Sequence, residues 1–188
     1  MVNFEKLRED ICNYEEKRDE LIKKSRDVIK LSKRVIYAVL RDELIEAEKL
    51  CQDIEQAKLQ LDKITKHDNK LPYEGSYKVA IQEYVEAILF YSFVKDGQFK
   101  ELNVLSHHYL LGLADLSGEL VRRAVFLAGK GKIDEVIKIK NELDKLYGEL
   151  LKFDFRDSEM RRKMDAVKYD LRKLEDLVLD IKIRGKWK

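Results

Sequence analysis

The chain is poor in helix breakers: one proline, Pro72, and 8 glycines among 188 residues. Long uninterrupted helices follow from that scarcity, and no strand-like alternation runs far enough to argue for a sheet. Cysteine is nearly absent too. Cys12 and Cys51 stand alone, without a C-x-x-C spacing, and read as unpaired thiols in a reducing compartment. No apolar run approaches the roughly 18 residues a membrane span needs. The opening "MVNFEKLRED" is acidic and lacks the apolar stretch of a signal peptide, so a cytoplasmic location is expected. Net charge is also missing: 39% of the residues are charged, yet the balance is +2. Only the distribution of charge can therefore point to a partner.

What is present is helical periodicity over a chain with enough apolar residues for a full core. The pattern predicts an all-α single domain over 1–188, a bundle of about six or seven helices. Apolar residues recur at helical spacing through Leu7, Ile11, Tyr14, Leu21, Val28, Leu31, Val35 and Val39 and on to Ile64. Nothing breaks a helix from Asn3 to about His67. That span is one long helix or two whose junction the pattern does not place. "HDNKLPYEGSY" (67–77) is the clearest loop. Further helices are expected to about Val94, closed by Asp96-Gly97, from His107 to Ala128, and from Ile133 to Leu151. The last begins after "KFDFRD", with Asp157 as its N-cap, and carries Met160, Met164, Val167, Leu171, Leu174, Val178 and Ile181 on one side.

"IQEYVEAILFYSF" (81–93) is almost wholly apolar or aromatic except for Glu83 and Glu86. At about 100° per residue, these two share a face with Ala87 and Phe90. In "HHYLLGLADLSGELVRRAVFLAG" (107–129), His108, Asp115, Glu119, Arg122 and Phe126 fall on one face. Two largely apolar helices thus each carry a carboxylate pair, and such helices pack in the middle of a bundle. Four acids brought together there stay ionised only by sharing a cation. Oxygen ligands suit Mg²⁺, or Mn²⁺, rather than zinc, and such ions can polarise phosphoryl oxygens and activate a water. Carboxylates at these spacings are also commonplace on exposed faces, and spacing alone leaves that reading open. No E-x-x-H occurs, which counts against a ferritin-like di-iron site. His107 and His108 point to different faces, and His108 reads as a polar neighbour of the acids rather than a ligand.

"KKSRDVIKLSKRVIYAVLR" (23–41) differs in kind. Arg26, Lys30, Lys33, Arg34 and Arg41 form a basic stripe with Tyr37 among them, backed by Val28, Leu31, Val35 and Val39. Such a stripe can track a phosphate backbone while the tyrosine stacks on a base. A solvated face balanced by Asp27 and Asp42 would look the same. A second basic cluster, Arg161-Arg162-Lys163 with Arg156, is a weaker signal.

Several of these stretches resemble the translin family, which includes translin and translin-associated factor X. "SRDVIKLSKRVIYAVLR" is similar to the basic helix of factor X. "QEYVEA" (82–87) and "YLLGLADLSGEL" (109–120) resemble its two acidic motifs, while the tail "RDSEMRRKMDAVKYDLRKLEDLVLDIKIRG" (156–185) is more similar to translin. This mixture suits a one-subunit form from an archaeon. The resemblance implies an all-α chain assembling into a hollow homo-oligomer, an octamer, that binds single-stranded nucleic acid. It carries the catalytic, Mg²⁺-binding acids onto Glu83, Glu86 and Asp115. Glu119 lies in the same motif but is shared with translin. Arg122, Lys33, Arg34 and Arg41 match family positions in nucleic-acid contact, whereas Arg26 and Lys30 join them here from the helical face. His108 departs from the factor X pattern, in which an acid commonly precedes the tyrosine.

The expected function is a Mg²⁺-dependent endoribonuclease cleaving single-stranded RNA, with single-stranded DNA or RNA duplex ends as further ligands. The alternative is a non-catalytic, translin-like binder of single-stranded RNA or DNA. A remote third reading, an all-α nucleotide pyrophosphatase, finds the first half of its E-x-x-E…E-x-x-D pattern in "EYVE". Its second half is replaced by D-x-x-x-E, the wrong order and spacing.

Overall fold

The computed structural model describes residues 2–66 and 68–185. Among these, the periodicity becomes six α-helices, one short 3-10 turn and no strand: α1 Phe4–Leu40, α2 Leu44–Thr65, the turn Leu71–Tyr73, α3 Gly75–Asp96, α4 Ser106–Gly129, α5 Ile133–Leu150 and α6 Ser158–Gly185. The breaks fall where the chemistry allows them. Pro72 lies in the 3-10 turn, and Gly97 closes α3 in the left-handed region at φ 75°. Asp157 Oδ1 accepts from the Glu159 amide at 2.8 Å, capping α6. His67, where the sequence places the end of the second helix and the start of the loop, lies outside the described residues.

The long N-terminal span is two helices, and the reason is not local. Asp42 turns the chain with φ 63°, a left-handed conformation that Asp tolerates better than most residues. Its carboxylate is gripped from α4 and its C-cap: Arg123 Nη2 approaches to 2.6 Å and Lys130 Nζ to 2.9 Å. Buried Arg123 also donates to the Val39 carbonyl at 3.3 Å. The corner between α1 and α2 is thus held by cations more than 80 residues further on.

α3 is the axis of the bundle, packed against α1, α2 and α4, while α4 in turn packs on α5 and α6. Ile81, Val85, Ala87, Leu89 and Phe90 are all buried, so α3 is covered on nearly every side. The approach of α3 to α4 is set by Gly112. A Cβ there would stand 2.7 Å from the Gln82 carbonyl oxygen and 2.7 Å from Val85 Cβ. No other residue fits so close a crossing. The apolar stripe of α1 divides in two: Leu21, Val28, Val35 and Val39 enter the core, but Leu7 and Ile11 remain exposed on the first turns. Tyr14 and Arg18 tether that end by bonding Glu74, at 2.5 and 3.1 Å.

Candidate functional site

The contact at Gly112 decides where the acids go. Gln82 and Val85 flank Glu83 and Glu86, and Gly112 lies one turn before Asp115, so the crossing that brings the backbones together also brings the carboxylates together. Glu83, Glu86, Asp115 and Glu119 are all half-buried. Glu83 and Glu86 feel the other acids. Burial, then the charges of Asp115, Glu83 and Glu119, push the Glu86 carboxyl up to about 8. Burial also raises Glu83; Lys33 pulls it back, and Asp115 and Glu119 raise it further. The cluster is short of positive charge around Glu86.

Two of the four acids are already engaged. Arg122 Nη1 chelates both Glu119 oxygens at 2.9 Å, one turn along the same helix. Lys163 Nζ of α6 donates to both Asp115 oxygens, at 2.5 and 2.6 Å. No three His, Cys, Asp or Glu side chains among the described residues converge into a ready metal-holding group. The donor chemistry nevertheless fits a hard divalent cation: oxygen ligands on rigid helices, half-buried, with one carboxylate lacking a counter-charge.

The basic stripe adjoins this cluster. Arg26, Lys30, Lys33, Arg34 and Tyr37 are all exposed on α1, and Arg41 is exposed at its C-cap. Lys30, Lys33, Arg34 and Tyr37 line an open groove of about 440 Å³ between α1 and α2, floored by Ala38 and Leu50. The balancing acids differ from those the sequence suggests. Arg41 meets Glu43 at 2.9 Å and Arg34 meets Glu46 at 4.0 Å, while Asp42 is taken by Arg123 and Lys130. Lys33, acting on Glu83, links the stripe to the acids.

His108 does not belong with the acids. It is buried with its ring edge-on to Tyr77, 5.9 Å between centroids, and burial holds its pKa below the usual histidine value. Its helical face matched Asp115, but two turns along the axis separate them. Exposed His107 faces Asp157 at 3.7 Å. Cys51 is buried, its thiol pushed up to about 12 chiefly by burial, and Cys12 is exposed and unpaired.

The model of the Translin family matches residues 16–185. The chain belongs to the translin family. Translin-associated protein X of Rattus norvegicus is 26% identical over 98% of this chain and 79% of its own length. Among solved structures, apo-NeC3PO superposes with a TM-score of 0.88 at 28% identity, over 95% of this chain and 97% of that one. AfC3PO in complex with duplex RNA superposes at 0.89 and 24% identity, over 97% and 98%, and shows the fold.

Within this translin-family chain, the residue that sequence reasoning passed over is Lys163. "RRK" reads as an exposed basic cluster, and Arg161 and Arg162 are indeed exposed. Lys163 is not: three residues after Met160 and four before Val167, it lies on the apolar side of α6. A cation at core register was the available signal.

Proposed function

We propose that this chain is a Mg²⁺-dependent endoribonuclease acting on single-stranded RNA, working as a homo-oligomer with each subunit contributing its own acids. The observation that carries this reading is the junction of the two charge clusters. A stripe of exposed cations with Tyr37 runs along α1 and meets, at Lys33, a half-buried carboxylate cluster whose Glu86 is short of positive charge. A backbone lying on Arg26, Lys30, Lys33, Arg34 and Arg41 brings a phosphodiester toward those acids. Glu83, Glu86 and Asp115 would hold the cation, with Glu119 completing the set. When bound, the ion supplies phosphoryl polarisation and an activated water. Arg122 would exchange Glu119 for a phosphate oxygen, and Tyr37 would stack on a base. Membership in the translin family and the rat protein X relative support the assignment. The related fold solved with duplex RNA keeps duplex ends within the ligand class, and single-stranded DNA is included on the backbone chemistry alone. An octamer is the expected assembly. Among the described residues, no helix is long and apolar enough to cross a membrane; a cytoplasmic location is part of the proposal.

A second reading, a non-catalytic binder of single-stranded RNA or DNA, draws support from the engagement of Asp115 by Lys163 and of Glu119 by Arg122. One assay separates the two. Labelled single-stranded RNA is incubated with Mg²⁺, Mn²⁺ or EDTA, beside a Glu86→Ala/Asp115→Ala variant. Internal cuts that need the metal and vanish in the variant establish the nuclease. Tight binding with intact RNA in every lane establishes the binder.

A further inference from the structure

Lys163 plays no part in the proposed cleavage, yet it holds one acid of the carboxylate cluster directly. Its ammonium comes from α6, 48 positions from Asp115 in the chain, and donates to both oxygens of that carboxylate. Its side chain is 20% exposed, against 53% for the Arg122 side chain that chelates Glu119. The contrast matters. Arg122 lies one turn away on the same helix and can swing into solvent, whereas Lys163 is walled by the packing of α6 on α4. Its charge also reaches Glu83 and Glu86. One lysine therefore bonds Asp115 directly and acts at longer range on Glu83 and Glu86.

We propose that Lys163 is a tethered counter-ion that competes with the divalent cation for Asp115, latching the cluster until the cation displaces the ammonium. The inference rests on the nuclease reading of the acids and adds a regulation to it: the cation concentration at which the site fills is set by α6. An ammonium paired through both oxygens in a half-buried setting is a strong competitor, since neither charge finds full solvation elsewhere.

The test is Mn²⁺ titration by calorimetry without RNA, on the full chain and on Lys163→Met, Lys163→Gln and Arg162→Met. Methionine keeps the apolar stem and removes the charge. Lys163→Met and Lys163→Gln are expected to bind Mn²⁺ at least about ten-fold more tightly than the unaltered chain. Arg162→Met, an exposed neighbour, should stay within about two-fold. In the unaltered protein, the Lys163 ammonium should give a protected resonance in nitrogen-edited spectra that disappears on adding Mg²⁺. Equal or weaker Mn²⁺ binding by both folded Lys163 variants overturns the latch, as does an ammonium signal that survives saturating Mg²⁺. Failure of the nuclease reading has a different signature: Lys163→Met gains Mn²⁺ affinity while RNA stays intact with every metal. Absence of Mn²⁺ binding in all four proteins overturns the latch and the metal site together.

Discussion

Two acidic centres in this chain face the same problem and resolve it in opposite ways. Asp42, at the α1–α2 corner, receives Arg123 at 2.6 Å and Lys130 at 2.9 Å. Burial alone would raise its pKa, but hydrogen bonds from Lys130 and Arg123 outweigh it and hold the carboxyl below the usual range. Glu86, on α3, is also desolvated, but the charges of Asp115, Glu83 and Glu119 add to burial more than Lys163 offsets, and it is pushed up to about 8. The first centre is closed: its charges cancel within the chain and hold a corner. The second stays open: Glu86 meets its burial by holding a proton up to about pH 8 inside a packed bundle. A cluster serving only stability would hardly combine burial with like charges, because each ionised acid then works against folding. Perturbed carboxylates of this kind collect at functional sites.

The largest expected effect comes from making the same change at both centres. Asp115→Asn should lower RNA cleavage by about a thousand-fold, since it removes a proposed ligand of the charge-stabilising ion. RNA binding should change little, and melting temperature should fall less than for Asp42→Asn, because the stranded Lys163 side chain is 20% exposed against 6% for Arg123. Asp42→Asn should do the reverse. It strips buried Arg123 of its partner and costs about 2 kcal/mol, a figure below that for fully buried pairs because Asp42 is partly exposed. The fraction that remains folded should cleave normally. Quantified cleavage and thermal melts on both variants check the contrast; if Asp42→Asn loses activity without losing stability, the division into a closed and an open centre is wrong.

A smaller effect sharpens the comparison through pH. Glu86 has its folded pKa raised from 4.5 to about 8, so between those values the folded chain keeps a proton that the unfolded chain has released. Its contribution to stability is therefore fully present below pH 4.5 and is lost as pH rises toward 8. In EDTA, melting temperature should fall from pH 5 to pH 8.5, and Glu86→Gln should flatten that slope. Mg²⁺ should restore stability most at the alkaline end, where it no longer competes with the proton. Asp42, with its lowered pKa, has the opposite sign and matters only in acid: its contribution is present above the unfolded carboxylate pKa and fades below it. A melting profile in EDTA that rises with pH over this window would contradict the account of Glu86.

The smallest effect concerns the stripe, whose charges are exposed. Lys30→Ala and Arg34→Ala should each weaken binding of single-stranded RNA only a few-fold, and should lower the slope of log affinity against log salt by about 0.7 per cation. Cleavage at saturating RNA should be nearly unchanged. An unaltered salt slope in the double variant would remove α1 from the RNA path.

Much of this architecture was readable in advance because its causes are local. The ends of α3 and α6 announce themselves in Gly97 and Asp157, and the acids of "QEYVEA" and "GLADLSGEL" stand out by interrupting apolar helices. The α1–α2 junction was not readable, since Arg41-Asp42-Glu43 contains no breaker and owes its turn to Arg123 and Lys130. His108 was misplaced beside the acids because a helical wheel records angle and ignores distance along the axis. Lys163 was hidden by its neighbours: among three consecutive basic residues, only its register against Met160 and Val167 distinguishes the one that turns inward.

By itself, then, the sequence determined the helical class, most helix ends, the basic stripe and the two carboxylate pairs. Each depends on residues within a turn or two, where periodicity, capping and the shortage of breakers act directly. Tertiary structure alone decided that the pairs face one another across Gly112, that Lys33 borders them, and that Lys163 rather than solvent answers Asp115. Those outcomes rest on contacts between distant segments, whose energies depend on burial and on which charges share a low-dielectric space, and neither exists until the helices have packed.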